Sequence, residues 1–528
     1  MSVLTVVLDA ADASLLRRWA EEGELPFFRR ILAEGASATL ESEGGALPES
    51  TWATLTTGAH IGSHGVYNWR PIRPRTYQRT RQPPSTCRKP FWQLVRDQLP
   101  DARAVLLDPP FTLPLGDERF IEIVGWGDRG GVHHDSWPPG TLEQVVARHG
   151  AFPRWTEDDY VRWPLEERRL SRALENAVAR RTDILIDLLG RARWDMGFAC
   201  YYELHNGGHA FFRALDPNAP SHDPRRAAFG QKALLGLYKA VDAGLARVRQ
   251  AIGPDADLLV CSPKGFRANT NGQTVLPDVL TGLGHQVAAD SSGRVQGIRA
   301  ARALVRAAAP RPLRRKIFGR LSVDERDRIL EDLWIQSVDW ARSRAFAEPD
   351  LGSGFVRLNV RGREPEGRVE PGEEYESLIS DLTADLEELS DARTGAPAVR
   401  RVYRRDEMAP GPNCDLLPDL VVGWTTDVRL DAVCHPRLGT VRERMRDVPT
   451  SEHTGAAFVI GTGPRFRRAV AGPHAHLADI AATVLQLAGA RLPHDMDGQP
   501  LAPLLDPSVP CERRQEIDWS LDPWQLRR

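Results

Sequence analysis

The segment Val3–Leu8, read Val-Leu-Thr-Val-Val-Leu, constrains this chain more than any other. A short run of apolar and β-branched residues reads as a strand buried on both faces, the kind found inside parallel sheets. Asp9 follows directly. In an open α/β sheet, ligands gather beyond the carboxyl ends of the strands. Asp9 therefore stands where an acidic side chain binds a metal or pairs with a charge. Its other use there is to cap a helix starting near Ala13.

Helical spacing of Leu15, Leu16, Trp19, Phe27, Phe28, Ile31 and Leu32 predicts two helical segments over 13–35, divided at Pro26, and 37–43 reads as a strand. Pro48 then makes a turn, and Ser50 to Thr57 starts a helix. Hydroxyls at a helix N-terminus near Asp9 suit a nucleophile or an anion cradle, with plain N-capping by Ser50 or Thr51 as the alternative. Amphipathic helices are expected over 168–190 and 230–252. Between them a strand over 196–202 runs into Glu203-Leu-His-Asn-Gly-Gly-His209, and a buried strand over 257–261 runs into Ser262-Pro-Lys-Gly265.

The bulk numbers narrow the class. A chain of 528 residues, 41% hydrophobic and 27% charged, is an ordinary globular composition, large enough for one big domain with insertions or for two to three domains. Lys plus Arg total 69 against 71 for Asp plus Glu, so no global basic field points to nucleic acid. The Arg-rich stretch 311–320 reads as a solvated face. None of the six cysteines forms a C-x-x-C pair, which favours reduced thiols and a cytoplasmic protein. The N-terminus lacks the basic region of a signal peptide, and no run of 18 apolar residues predicts a membrane span. The sequence leaves the oligomeric state open.

Asp9 at a strand end, a helix entering Thr57-Gly58, and Ser63-His64-Gly65 together resemble the type I phosphodiesterase/nucleotide pyrophosphatase branch of the alkaline phosphatase superfamily. Further along, Val105–Gly116, the strand Pro418–Val422, Ser451-Glu-His-Thr-Gly455, Gly461-Thr-Gly-Pro464 and Asp497-Gly-Gln-Pro-Leu501 resemble that family's later segments in the same order. The resemblance implies an α/β fold: an alkaline-phosphatase-like three-layer α/β/α sandwich with a mostly parallel central sheet and an inserted cap region. The expected division is a core in two parts, 1–265 and 401–505, an insertion at 266–400, and a tail at 506–528 whose Trp519 and Trp524 pack on the body.

The same resemblance implies a metal-dependent enzyme of phosphoryl transfer. Its set is an Asp after the first strand, a Thr or Ser nucleophile, a spaced Asp and His, an adjacent Asp-His pair and one last His. Asp9, His209 and His453 match the first Asp, the spaced His and the last His. His205 falls where the spaced Asp is expected. His205, His209 and His453 would then make a three-histidine site for one divalent metal, zinc first, with iron or manganese as alternatives. Asp9 is expected as a further ligand.

The adjacent pair falls on Pro263-Lys264, which offers no metal ligand while the ammonium is protonated, so the second metal site is expected to be lost. The nucleophile position falls on Pro48, which leaves Ser50 or Thr51 as substitutes. Lys264 is expected to occupy the vacated site and pair with Asp9, or else to point to solvent. Glu203 is a candidate outer ligand or general base. Asn269, Asn271 and Gln273 are candidates for binding a polar substrate. His60, His64, His133 and His134 match no family role, and His474 and His476 read as structural.

Three functions fit these residues. The first is a divergent phosphoesterase-like hydrolase of a small-molecule phosphate, phosphonate or sulfate ester, with Lys264 in place of the second metal. The second is a lyase, isomerase or group-transfer enzyme on the same scaffold. The third is a non-catalytic ligand-binding relative.

Overall fold

The computed structural model describes residues 2–43, 46–79, 86–127, 134–153, 164–217, 222–269, 275–289, 329, 331–349, 354–425, 430–442, 451–510 and 514–522. Val3–Leu8 is a strand with every residue buried. It lies at the centre of the main sheet, parallel to Met196–Tyr201 on one side and to Asp257–Ser262 on the other. Beyond Met196–Tyr201 come Ala104–Leu107 and Phe120–Val124, also parallel, and then the antiparallel edge strand Asp135–Trp137. On the other side Ala456–Thr462 runs antiparallel between Asp257–Ser262 and Ala36–Glu41. The sheet is mostly parallel.

Helices cover both faces, so the unbroken apolar run is required by the layering. Val3 and Val7 point into a core shared with the helices Thr51–Thr57, Phe91–Gln98 and Asp479–Ala488. Leu4, Val6 and Leu8 point into the opposite core, against Ala13–Glu21, Pro26–Glu34, Pro164–Arg191 and Pro224–Ile252. This is the expected α/β/α sandwich. Asp12, not Asp9, caps the first helix, accepting from the backbone N–H groups of Ser14 and Leu15.

A second sheet of four antiparallel strands stands apart from the first, in the order Val399–Arg404, Leu420–Trp424, Gly354–Leu358, Ala345–Glu348. The expected insertion, 266–400, does not coincide with it. Leu420–Trp424 falls in the expected second core part, 401–505, and pairs in this sheet. At the other boundary, Gly265–Ala268 pairs with Ser451–Thr454 and belongs beside the core. Pairing partners decide such a boundary, and local pattern carries no information about them. In the tail, Trp519 is buried and its indole N–H donates to Asp495. Trp524 lies outside the described residues.

His64 is fully buried. It accepts from the Val66 N–H at Nδ1, so its proton sits on Nε2, which faces the Thr54 hydroxyl at 3.0 Å. Burial pushes its pKa down from 6.5 to about 3. Between those two values the unfolded chain binds the extra proton and the folded chain does not, so His64 costs stability progressively as the pH falls through that window. Replacement His64→Gln is expected to remove this dependence. The stability difference between wild type and variant should shift in the variant's favour by about 1 kcal/mol per pH unit from pH 6 to pH 4 in urea unfolding. A difference that stays constant over that range would rule the assignment out.

Candidate metal centre

The helix Glu203–Phe211 begins at the carboxyl end of the strand Met196–Tyr201, beside Asp9. His205 and His209 are one helical turn apart and share a face. Opposite them the antiparallel pair of Gly265–Ala268 and Ser451–Thr454 sets His453 across from Phe266. The three imidazoles, two from one helix and His453 from a distant strand, offer ligand atoms that all lie within 4.8 Å of one another.

The orientation of each ring matters more than the proximity. His205 Nε2 and His209 Nε2 are 3.0 Å apart, near the roughly 3.3 Å that two imidazoles would show on one tetrahedral zinc. The far nitrogen of every ring is held from behind. His205 Nδ1 lies 2.8 Å from Asp9 Oδ2, His209 Nδ1 lies 3.3 Å from Ser451 Oγ, and His453 Nδ1 lies 3.3 Å from the Gly265 carbonyl. Fixing the second nitrogen in this way is how proteins set the tautomer and angle of a metal-binding imidazole. Burial, with the charge of Lys264 next, holds His453 well below the usual imidazole range and so in the neutral form that ligates. The donor set fits one divalent ion of zinc type.

Asp9 stands behind His205 rather than beside the three Nε2 positions, so its expected place as a direct ligand gives way to an outer one. Its other oxygen, Oδ1, is 3.9 Å from Lys264 Nζ. The Lys264 side chain is 0% exposed and that of Asp9 3%. Lys264 therefore does not point to solvent. Its ammonium also donates to the Pro48 carbonyl at 3.1 Å, which brings the turn at the expected nucleophile position onto the same charge. Ser50 and Thr51 are buried, and their hydroxyls donate back to the Leu47 and Pro48 carbonyls. Ser50 stands at the N-cap of the helix Thr51–Thr57 but makes no side-chain capping hydrogen bond.

Glu203 has another employment. It is fully buried and paired with Arg181 Nε at 2.9 Å, while Arg181 Nη1 lies 2.6 Å from Asp108. The rings of Trp126, Phe152, Tyr201 and Tyr202 surround that guanidinium at 5.1 to 5.9 Å. The Glu203 carboxylate is thus engaged by a buried arginine at the start of the histidine helix. Asn269 is buried at the end of the Gly265–Ala268 strand, and Asn271 and Gln273 lie outside the described residues.

Arg181, Ser451 and Phe266 escaped the reading of the sequence. For Arg181 a signal existed. It interrupts the buried stripe Leu174, Val178, Leu185, Leu188 at helical spacing, and a charge on an apolar stripe implies a buried partner. Phe266 packs within 6.0 Å of all three imidazoles. A Cβ on Gly208 would lie 2.0 Å from its ring, so only glycine lets the ring lie against that turn of the helix.

The sequence model of the family described as type I phosphodiesterase / nucleotide pyrophosphatase matches residues 3–431. The chain belongs to this family. No curated protein matches it in sequence. Among solved structures, phosphonoacetate hydrolase from Sinorhizobium meliloti 1021 in complex with phosphonoformate is similar in fold, with TM-score 0.52 and 14% identity over 92% of this chain and 96% of that one. The murine ectonucleotide pyrophosphatase/phosphodiesterase 5, as an inactive variant in complex with AMP, gives TM-score 0.49 and 12% identity over 96% of this chain and 100% of that one. The likeness in fold to the phosphonoacetate hydrolase structure extends beyond the stretch the family model matches, over 92% of this chain. No helix among the described residues is long and apolar enough to cross a membrane.

Proposed function

We propose that this type I phosphodiesterase-like protein hydrolyses a phosphate, phosphonate or sulfate ester of a small molecule. One divalent metal, zinc first and iron or manganese as alternatives, is held by His205, His209 and His453. Lys264 serves in place of a second metal. The observation that carries the reading is the pinned convergence of the three rings beside a buried Lys264–Asp9 pair. Membership of the family supports phosphoesterase-like chemistry.

A divalent ion in such a site supplies Lewis acidity to an ester oxygen. The chain's own groups do the rest. Asp9 orients His205 and offsets the charge of Lys264. The ammonium has three donors, one of them on Pro48, and it presents positive charge where an oxyanion develops. Phe266 packs its ring against all three imidazoles. Because the Ser50 and Thr51 hydroxyls are turned back into their own loop, the attacking group is water. Free cysteines, with Cys87, Cys200 and Cys261 buried, support a reducing, cytoplasmic setting. The balanced overall charge speaks for a small-molecule partner rather than nucleic acid.

Protein purified without chelator is expected to release p-nitrophenol from a phosphate or phosphonate ester. Chelation should abolish turnover and added zinc should restore it. One observation favours a second reading: the side chains of His205, Asp9 and Lys264 are each no more than 4% exposed, which suits a ligand-binding relative with a closed centre. Metal retained without turnover on any phosphate, phosphonate or sulfate ester would select that reading or a non-hydrolytic enzyme over the hydrolase.

A further inference from the structure

We propose that Glu43, His60 and His476 form a second divalent-cation site, separate from the three-imidazole centre and independent of the activity inferred for it. The three ligand atoms lie within 4.8 Å of one another. They come from three parts of the chain. Glu43 lies two residues past the strand Ala36–Glu41, and His476 closes the strand Ala475–His476 that pairs with it. His60 precedes the short helix Ile61–His64.

Each part is held by its backbone. The His60 N–H donates to Asp497 Oδ2 at 2.8 Å, and the His476 N–H donates to Asp479 Oδ2 at 2.9 Å. Asp479 Oδ1 in turn accepts from Gln499 N–H at 2.8 Å. The ligands are thus set in place before any ion arrives, which lowers the ordering cost of binding.

The side chains are poorly satisfied by one another. Glu43 Oε1 is 3.6 Å from His476 Nε2, too long for a good hydrogen bond but close to the spacing of two donors on one cation. Glu43 Oε2 is buried with no hydrogen-bond partner among the described residues, a state native proteins avoid. The His60 and His476 rings meet edge to face at 4.5 Å. Two imidazoles and one carboxylate are a donor set for zinc, cobalt or nickel. Binding at His476 Nε2 moves the ring proton to Nδ1 and gives up the 3.2 Å contact from the Ala478 N–H. One long hydrogen bond is lost against three coordinate bonds gained.

The site lies outside the chemistry but touches its frame. Ser42, next to Glu43, donates to the Pro263 carbonyl at 2.9 Å, one residue from Lys264. A cation on Glu43 would therefore clamp the stretch that leads to the Pro48 turn.

The test counts zinc per chain by mass spectrometry after equilibration and gel filtration. Two equivalents are expected in wild type, one in His209→Ala, one in His60→Ala or Glu43→Gln, and none in His209→Ala/His60→Ala. Zinc should raise the melting temperature of His209→Ala but not of that double variant. His60 is half-buried on the surface, so its loss leaves the fold intact. One equivalent in wild type that His209→Ala removes would overturn this proposal and leave the three-histidine centre standing. One equivalent that His60→Ala removes and His209→Ala spares would do the reverse. A second equivalent indifferent to His60→Ala and Glu43→Gln would place the ion elsewhere and overturn the assignment.

Discussion

His209→Ala is expected to cost the chain one equivalent of bound divalent metal and to lower ester hydrolysis by at least about 100-fold. Changing a group that merely orients a metal ligand costs about 10–100-fold, so losing one of three ligands should cost more. Two imidazoles, His205 and His453, would remain, and a site of two protein ligands holds zinc weakly. The effect should not come from unfolding. His209 is only partly buried, and its ring packs against those of His205, His453 and Phe266 and faces the Ser451 hydroxyl. Metal analysis, p-nitrophenol release and circular dichroism on the same preparation separate these effects. A folded variant that keeps both metal and turnover would sink the three-histidine centre.

Lys264→Met is expected to destabilise the chain by about 3–5 kcal/mol, the usual result of stripping the partner from a buried charge. The ammonium is within 3.9 Å of Asp9 and has no exposed surface. Methionine fills similar space but takes the ammonium away from the Asp9 carboxylate. The informative comparison is the cycle with Asp9→Asn. The double variant Asp9→Asn/Lys264→Met should recover most of the loss, with a coupling of at least about 2 kcal/mol in urea unfolding, because two neutral groups in the same space carry no charge to desolvate. If the two single losses simply add, Lys264 is not the counter-charge of Asp9, and its role in place of a second metal falls with it.

These two residues also show where reading a sequence succeeds and where it stops. The opening strand and its terminal Asp9 were legible because a run such as Val3–Leu8 has one stable use, inside a sheet covered on both faces. The three histidines were legible only through family order, since nothing local distinguishes His205, His209 and His453 from His60 or His476. For the same reason His476 read as structural, His60 matched no role, and Glu43 read only as the end of a strand. Glu43, His60 and His476 gather through the pairing of Ala475–His476 with Leu40–Glu41 and the placement of the loop at His60.

Side-chain partners lay beyond what the sequence shows. Glu203 stands two residues before His205, which made it a plausible base, but Arg181 claims it from a neighbouring helix. Ser50 and Thr51 stand at a helix start, as a nucleophile would, but their hydroxyls turn back on the carbonyls of the Pro48 turn. The strand Leu420–Trp424 has the pattern of a core strand and pairs in the smaller sheet. Burial pattern and spacing follow from local chain geometry, so the sequence by itself determined the layered α/β architecture and the residue types available at the centre. Which nitrogen faces which oxygen depends on elements that the fold brings together: His205 and Asp9 meet at 2.8 Å, Arg181 and Glu203 at 2.9 Å, and Lys264 and Asp9 at 3.9 Å. Only the tertiary structure decided that Asp9 backs His205, that Lys264 lies against Asp9, and that Glu203 belongs to Arg181.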